Sequence, residues 1–218
     1  MKSEKLEIKQ FTLTVEGETE MWYFNWLQDQ INASPERKYN VSIDAKKQQS
    51  PKKFFKGLNA KTTPKVIHIC DVESNEPVHV DKFQKILSEM KEAKTQKKIT
   101  YELGYSNFAF ELWMVLHKRD CNGPLSHRKQ YLGPICQAFG EKFEDLNHYK
   151  QEDAFQRCLK RLTIDDVRAA VRRAGVITAQ NDKDQKKLIR FKGYAYYPEN
   201  PALSVHEVVQ MILTECGL

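Results

Sequence analysis

Residues 5–103 alternate between strand-like and helix-like segments, and this alternation constrains the fold more than any other feature of the chain. The strand-like runs are residues 5–15, 39–45, 66–70 and 98–103. Between them lie segments with helical spacing or capping signals, at residues 19–31, 51–58 and 80–93. Strands that alternate with helices favour a parallel sheet covered by helices. We therefore predict an α/β fold with a mainly parallel sheet flanked by helices.

The remainder of the chain is predominantly helical in pattern. Residues 108–117 (FAFELWMVLH) are apolar nearly all round, which predicts a buried helix. Further helices are predicted at residues 127–139, 153–162, 164–179 and 205–213, with a loop at residues 196–204. We divide the chain into an α/β core (residues 1–120) and a helical C-terminal region (residues 121–218) packed on it. The same pattern is compatible with one continuous domain.

Composition excludes several classes of protein. The chain has 218 residues, of which 40% are hydrophobic and 29% charged, as in an ordinary globular protein. Its apolar runs are shorter than the roughly 20 residues that span a bilayer, and its first residues lack the apolar segment of a secretory signal. The five scattered cysteines form no CxxC pair, which argues against a zinc site or a disulfide framework. We expect a cytoplasmic protein without a membrane partner.

Acidic residues end two of the predicted strands. Glu16 follows the first apolar run, and Asp71 follows the third, with Glu73 two residues later. The carboxyl ends of parallel strands lie along one edge of a sheet, with neighbouring strands about 4.8 Å apart. Carboxylate oxygens that converge there are ligands for a hard divalent cation. We therefore predict that Glu16, Asp71 and Glu73 are catalytic residues that bind Mg²⁺ or Mn²⁺.

Simpler interpretations of these acids remain open. Glu16 precedes a glycine and is compatible with a turn residue in a local ion pair. Glu18 and Glu20 suit a helix N-terminus, where negative charge is favourable, and Thr19 is a plausible N-cap. Asp71 and Glu73 are alternate residues of an extended segment, so their side chains are expected to point the same way.

Polar residues at the start and end of the predicted buried helix are candidates for supporting the site. They are Ser106, Asn107, Glu111 and His117. A lone glutamate in this apolar segment is costly to bury without a partner. Glu111 therefore either binds metal, orients a base or satisfies local donors. His117 has either a role in the site or a structural role at the helix C-terminus.

Two basic regions suit a polyanionic substrate such as RNA or DNA. Residues 46–56 contain five lysines and no acid, and residues 151–192 contain eleven Lys or Arg against six Asp or Glu. The candidates for nucleic-acid binding are Lys52, Lys53, Arg168, Arg172 and Arg173. The alternative is that these lysines and arginines form ordinary solvated surfaces.

Several motifs together resemble the RloB-like family. They are VEGETEMWYF, the apolar strand that ends in Asp71 and Glu73, YSNFAFELWMVLH, HYKQEDAF, IDDVRAAVRRAG and NPALSVHEVVQMIL. The resemblance covers essentially the whole chain in order. It implies a Toprim-like fold and an association with phage-defence and abortive-infection loci in bacteria, often with an ATPase encoded alongside.

The resemblance also implies roles for particular residues. Glu16 matches the Toprim glutamate, a metal ligand or general acid–base group, and Asp71 and Glu73 match the family's Asp-x-Asp metal pair. Ser106, Asn107, Glu111 and His117 fall on its Ser-Asn-Pro…Phe-Glu-x-Trp…His motif. The chain departs from the family pattern at Glu73, where aspartate is usual, and at Phe108, which replaces proline.

These observations support three functional hypotheses. The first is a Mg²⁺-dependent nuclease, acting on RNA (tRNA included) or DNA in phage defence together with a partner ATPase. The second is a binding or adaptor module with a catalytically degenerate site that regulates a partner ATPase, which the departure at Glu73 motivates. The third is another phosphoryl-transfer or nucleotidyl-transfer enzyme, because the same acidic chemistry serves it. No GxGxxG or GxxxxGK[ST] segment is present, so nucleotide hydrolysis by this chain itself is not expected.

Overall fold

A computed structural model describes residues 6–123 and 125–218 of the chain. The strands within these residues are β1 (Ile8–Val15), β2 (Asn40–Lys47), β3 (Lys65–Asp71), β4 (Thr100–Asn107), β5 (Ile189–Phe191), β6 (Tyr194–Tyr196) and β7 (Ala202–Leu203). The helices are α1 (Glu18–Ala33), α2 (Pro51–Gly57), α3 (Pro77–Lys97), α4 (Glu111–Leu116), α5 (Leu132–Phe139), α6 (Leu146–Tyr149), α7 (Glu152–Leu159), α8 (Ile164–Lys183) and α9 (Val205–Cys216). A short 3₁₀ helix (Arg128–Tyr131) precedes α5. Lys5, where the first strand was predicted to begin, lies outside the described residues.

The main sheet has the strand order β2-β1-β3-β4-β7. Strands β1 to β4 are parallel to their neighbours, and β7 is antiparallel to β4. The predicted α/β fold with a mainly parallel sheet is therefore confirmed. The register aligns Val15 of β1 with Ile69 of β3, so the carboxyl ends of these two strands lie together at one edge.

Helices cover both faces of the sheet. Side chains alternate along each strand, and β3 illustrates the consequence. Ile67 and Ile69 belong to a larger apolar core built with α1, α4, α8 and α9. Val66 and Cys70 belong to a smaller core built with α2 and α3. These helices bury β3 on both faces, as the continuous apolar run of its sequence indicated.

The predicted helical C-terminal half is also confirmed. Phe155 of α7, Ile177 of α8 and Val209 of α9 join the larger core, which also contains residues of β1 and α4. Thr163 is the N-cap of α8: its Oγ1 accepts the backbone N–H of Asp166 at 3.3 Å. None of the helices in the described residues has the length and apolar character needed to cross a lipid bilayer.

The structure differs from the sequence predictions around β4. Residues 108–117 were predicted as one helix, but β4 extends to Asn107 and α4 spans only Glu111–Leu116. The strand predicted to end at residue 103 continues to Asn107, because Ser106 and Asn107 pair with β7, almost a hundred residues later. The loop predicted at residues 196–204 contains β7, and the β5–β6 hairpin was not predicted.

Candidate active site

Glu16 and Asp71 meet at the carboxyl edge of the sheet. Glu16 directly follows β1, and Asp71 is the last residue of β3, the strand paired beside β1. The backbone N–H of Asp71 donates to Glu16 Oε2 at 3.1 Å. The structure therefore brings together two of the three residues proposed to bind metal.

Helix α1 brings a further carboxylate to this edge. The helix begins at Glu18 with Gly17 as its N-cap, so the prediction of Thr19 as the cap is wrong. The carboxylate of Glu20 folds back over Gly17, and Thr19 Oγ1 donates to Glu20 Oε2 at 3.2 Å. A Cβ on residue 17 would lie 2.7 Å from that oxygen. Gly17 therefore leaves room for the Glu20 carboxylate in this position, while its extended backbone (φ −128°) is open to any residue.

Glu111, the first residue of α4, contributes a fourth carboxylate. It is 2% exposed, and Lys150 Nζ lies 2.9 Å from its Oε1. Lys150 follows α6, so the helical half of the chain supplies this cation. We call the group Glu16, Glu20, Asp71 and Glu111 the acidic notch. A cavity of about 230 Å³ lies at its mouth, lined in part by Glu16, Glu20, Asp71 and Lys150.

Negative charge in the acidic notch is only partly neutralised. Burial raises the pKa of Glu16 and of Glu20. Burial also raises the pKa of Asp71, and the carboxylates of Glu20, Glu16 and Glu111 raise it further. The pKa of Lys150 is raised as well, because its attraction to Glu111 outweighs the lowering effect of burial. Carboxylates that repel one another in an enclosed position favour the uptake of a cation or a proton.

Glu73 has a different set of neighbours from Asp71. Its carboxylate pairs with Lys82 of α3, and His79 Nε2 lies 3.4 Å from its Oε2. Although burial raises the pKa of Glu73, the bond and the positive charge from Lys82 outweigh this effect and lower it. Lys82 Nζ also lies 3.8 Å from Glu16 Oε1. Glu73 is therefore linked to the acidic notch through Lys82.

The donor set of the acidic notch suits Mg²⁺ or Mn²⁺, which prefer oxygen ligands. Glu16 Oε1 and Glu111 Oε2 are buried and accept no hydrogen bond. Within residues 6–123 and 125–218, however, no three His, Cys, Asp or Glu side chains are grouped closely enough to hold a metal ion. Mg²⁺ usually keeps several waters and uses one or two protein carboxylates. Glu16 and Asp71 together fit that requirement.

A second cavity, the lysine cleft, opens beside the acidic notch. It has a volume of about 640 Å³, and Glu16 lines it as well as the notch. The lysines that line it are Lys47, Lys52, Lys53, Lys56, Lys82 and Lys85. Glu89 also lines it, but its carboxylate is used at the start of α2. There it accepts hydrogen bonds from the Ser50 hydroxyl at 2.6 Å and from the backbone N–H of Lys52 at 3.0 Å. The cleft therefore presents a strongly positive surface next to the carboxylates.

The predicted nucleic-acid residues are divided between the two faces of the sheet. Lys52 and Lys53 lie on α2 and line the lysine cleft. The three predicted arginines lie on α8, which packs on the opposite face. Arg168 pairs with Glu36 and Asp165, and Arg173 donates to the backbone carbonyls of residues 116 and 117. Arg172 is exposed. The structure thus places the lysines, but not the arginines, beside the acidic notch.

The residues predicted to support the site are all buried, in different surroundings. Ser106 pairs in register with Asp71. Asn107 Nδ2 donates to the backbone carbonyls of Tyr197 and Pro198, at 3.2 and 2.7 Å, and so fixes the chain that precedes β7. His117 lies in the larger core, where it contacts Tyr23 of α1. Glu111 alone among the four belongs to the acidic notch.

Three charged residues of the site were not predicted from the sequence. Glu20 was interpreted as a helix-start residue, which is correct for its position but does not indicate that it lines the same cavity as Asp71. Lys150 lies in the HYKQEDAF segment, which marked the family resemblance without a residue role. Lys82 is one of several lysines on an amphipathic helix, and nothing in its spacing distinguishes it.

Fold and site together define an α/β protein with an acidic notch at the carboxyl edge of a parallel sheet, next to a lysine cleft. A family model described as RloB-like protein matches residues 11–212. The chain belongs to this RloB-like family, as the sequence motifs predicted. No curated protein and no solved structure gave a match.

Proposed function

We propose that this protein is a divalent-metal-dependent phosphodiesterase that cleaves RNA or DNA. The observation that carries the proposal is the position of Glu16, which lines both the acidic notch and the lysine cleft. A phosphodiester backbone held by the lysines would pass the carboxylates at this point. Metal-dependent cleavage requires negative charge to bind the metal ion and positive charge to bind the phosphodiester backbone.

Each part of the site has a distinct task in this proposal. A bound Mg²⁺ or Mn²⁺ would polarise the phosphate and lower the pKa of a water molecule. Glu16 and Asp71 would hold the ion at the ends of β1 and β3. Glu20 and Glu111 would add negative charge around it. Lys82, which contacts both Glu16 and Glu73, would neutralise a phosphate oxygen as the substrate enters.

The biological setting of the proposal rests on the family resemblance. The resemblance implies a role in phage defence or abortive infection, in which an ATPase encoded alongside would act as sensor or gate. Among nucleic acids, tRNA is a reasonable first substrate to examine, with other RNA and DNA as alternatives.

A direct assay tests the activity. Purified protein is incubated with tRNA, single-stranded RNA and plasmid DNA in the presence of Mg²⁺, Mn²⁺ or EDTA, with and without the neighbouring ATPase. Metal-dependent cleavage that Glu16→Ala and Asp71→Ala each abolish is the expected result. Asp81→Ala is the matched control, since Asp81 is an exposed acid of α3. Cleavage that persists in the Glu16→Ala, Asp71→Ala double variant would refute the assignment.

A second candidate function has its own structural support. Lys82 pairs with Glu73 and Lys150 with Glu111, and the described residues contain no preformed group of three metal ligands. These ion pairs are compatible with a metal-free binding or adaptor module for a partner ATPase. Such a module would bind nucleic acid or the ATPase equally well in Mg²⁺ and in EDTA, and would cleave none of the substrates.

A further inference from the structure

Within residues 6–123 and 125–218, the outer edge of β4 is largely without a strand partner. β7 pairs only with Ser106 and Asn107, at the end of the strand. The next residue after β7, Ser204, bonds to Tyr105. Its backbone N–H donates to Tyr105 O at 2.8 Å, and its Oγ accepts the N–H of Tyr105 at 3.1 Å. Alternate residues of a strand direct their backbone groups to the same side. The N–H groups of Tyr101 and Leu103 therefore face outward, where β7 does not reach.

A cleft lies directly over this edge, and we call it the tyrosine cleft. Its volume is about 640 Å³, and its walls come from β4, the β5–β6 hairpin, α8 and α9. The aromatic residues that line it are Tyr101, Tyr105, Tyr194 and Tyr197. Leu188, which is 37% exposed, adds an apolar side chain. A strand edge with an apolar wall beside it is a surface to which extended peptides add.

The charge of the tyrosine cleft is opposite to that of the whole chain. The formal net charge of the protein is +6, yet the charged residues that line this cleft are Glu102, Asp182 and Glu207. Glu102 pairs at its rim with Lys65, at 2.8 Å. Glu207 is an exposed residue that forms no ion pair among the described residues, and partial desolvation raises its pKa. The cleft is therefore complementary to a cationic ligand.

We propose that β4 and the tyrosine cleft bind an extended, basic peptide segment of a partner protein, which adds to the sheet as a short strand beside Tyr101 and Leu103. Hydrogen bonds donated by the N–H groups of Tyr101 and Leu103 would fix the register, since the carbonyls of these residues already accept the hydroxyls of Tyr194 and Ser204. Lysine or arginine side chains at alternate positions would reach Glu207 and Asp182. This inference does not depend on the nuclease proposal, since the cleft and the acidic notch share no lining residue.

A positional-scanning library of eight-residue fluorescent peptides tests the proposal on the full-length protein by fluorescence anisotropy. Selection of Lys or Arg at alternate positions is expected, with affinity that falls as salt rises. Glu207→Lys should weaken the selected peptide at least tenfold, whereas Glu215→Lys should change it less than twofold. Glu215 is an exposed residue near the end of the same helix and does not line the cleft.

Two further variants test the strand geometry. Leu103→Pro removes an outward N–H while leaving the ladder to β3 intact, and should abolish binding. N-methylation of the peptide at alternate residues should abolish it as well, without any change in the protein. Circular dichroism shows whether the Leu103→Pro protein folds. If it does not, the methylated peptide and Glu207→Lys still test the proposal. Selection of acidic or sequence-random peptides, or full binding by the methylated peptide, would overturn the proposal. So would a dimer of the protein itself that Leu103→Pro dissociates.

Discussion

His117 makes a pH-dependent contribution to stability that can be worked out from its contacts. Its Nδ1 donates to the Trp113 carbonyl at 2.9 Å, and its Nε2 lies 3.1 Å from the Tyr23 hydroxyl, which donates to it. Both ring nitrogens are therefore used by the neutral imidazole. Burial lowers the pKa of His117 to about 4, although the bond to Trp113 opposes this shift.

The sign and size of the effect follow from linkage. The folded state holds the pKa of His117 below the ordinary value of about 6.5, so the unfolded chain binds more protons between these values. The stabilisation is complete above pH 6.5 and is lost as pH falls towards 4. Between pH 7.5 and pH 5 this single group removes about 2 kcal/mol from the free energy of unfolding.

Urea denaturation of the protein and of His117→Gln at both pH values measures this contribution. The pH dependence of the free energy of unfolding is compared between the variant and the unsubstituted protein. The difference isolates the contribution of His117 from those of the other buried histidines, His68 and His206. The same exchange at the exposed His127 controls for the loss of an imidazole elsewhere. A difference of less than about 0.5 kcal/mol would show that His117 is not held neutral in the core. That result would favour the role in the site that the sequence left open.

Three further changes have specific expected outcomes. Three lysines of the cleft, Lys53, Lys56 and Lys85, form no ion pair among the described residues. Their triple alanine variant should lower the slope of log K against log salt for nucleic-acid binding by about 3, roughly 1 per lysine, in anisotropy titrations at several salt concentrations. Gly104→Ala should reduce stability by about 1–3 kcal/mol in thermal denaturation, because the new Cβ would lie 2.6 Å from Ile69 Cδ1. Gly17→Ala should displace the Glu20 carboxylate and reduce metal-dependent cleavage, while the melting temperature stays within about 2 °C of that of the unsubstituted protein. Unchanged cleavage would show that the Glu20 carboxylate does not contribute to the site.

Much of the α/β core was predictable because its signals are local. The run that became β1 alternates apolar and polar residues, the run that became β3 is largely apolar, and an acid follows the first and ends the second. Parallel topology then places those ends along one edge whatever the other details of the fold, so the meeting of Glu16 and Asp71 could be predicted. Ser50 and Thr163 likewise mark the starts of α2 and α8, since a cap depends on residues within one turn.

The remaining parts of the site depend on residues that are distant in the sequence. Lys150 pairs with Glu111 only once the chain has folded, and no periodicity indicates that contact. Glu73 is two residues from Asp71, yet Lys82 and His79 of α3 determine where its carboxylate lies. The strand β7 has two residues, too few for a pattern, and exists because Ser106 and Asn107 offer it hydrogen bonds.

The sequence by itself therefore determined the RloB-like family, the parallel sheet and the acidic strand ends, because strand propensity and side-chain alternation are properties of short segments. The tertiary structure decided which charges share an enclosure. It placed four carboxylates together, put the lysines of α2 and α3 beside them, and carried the arginines of α8 to the opposite face. Electrostatic interactions act through space over several ångströms, so their sum is fixed by how the helices pack and not by their order in the chain.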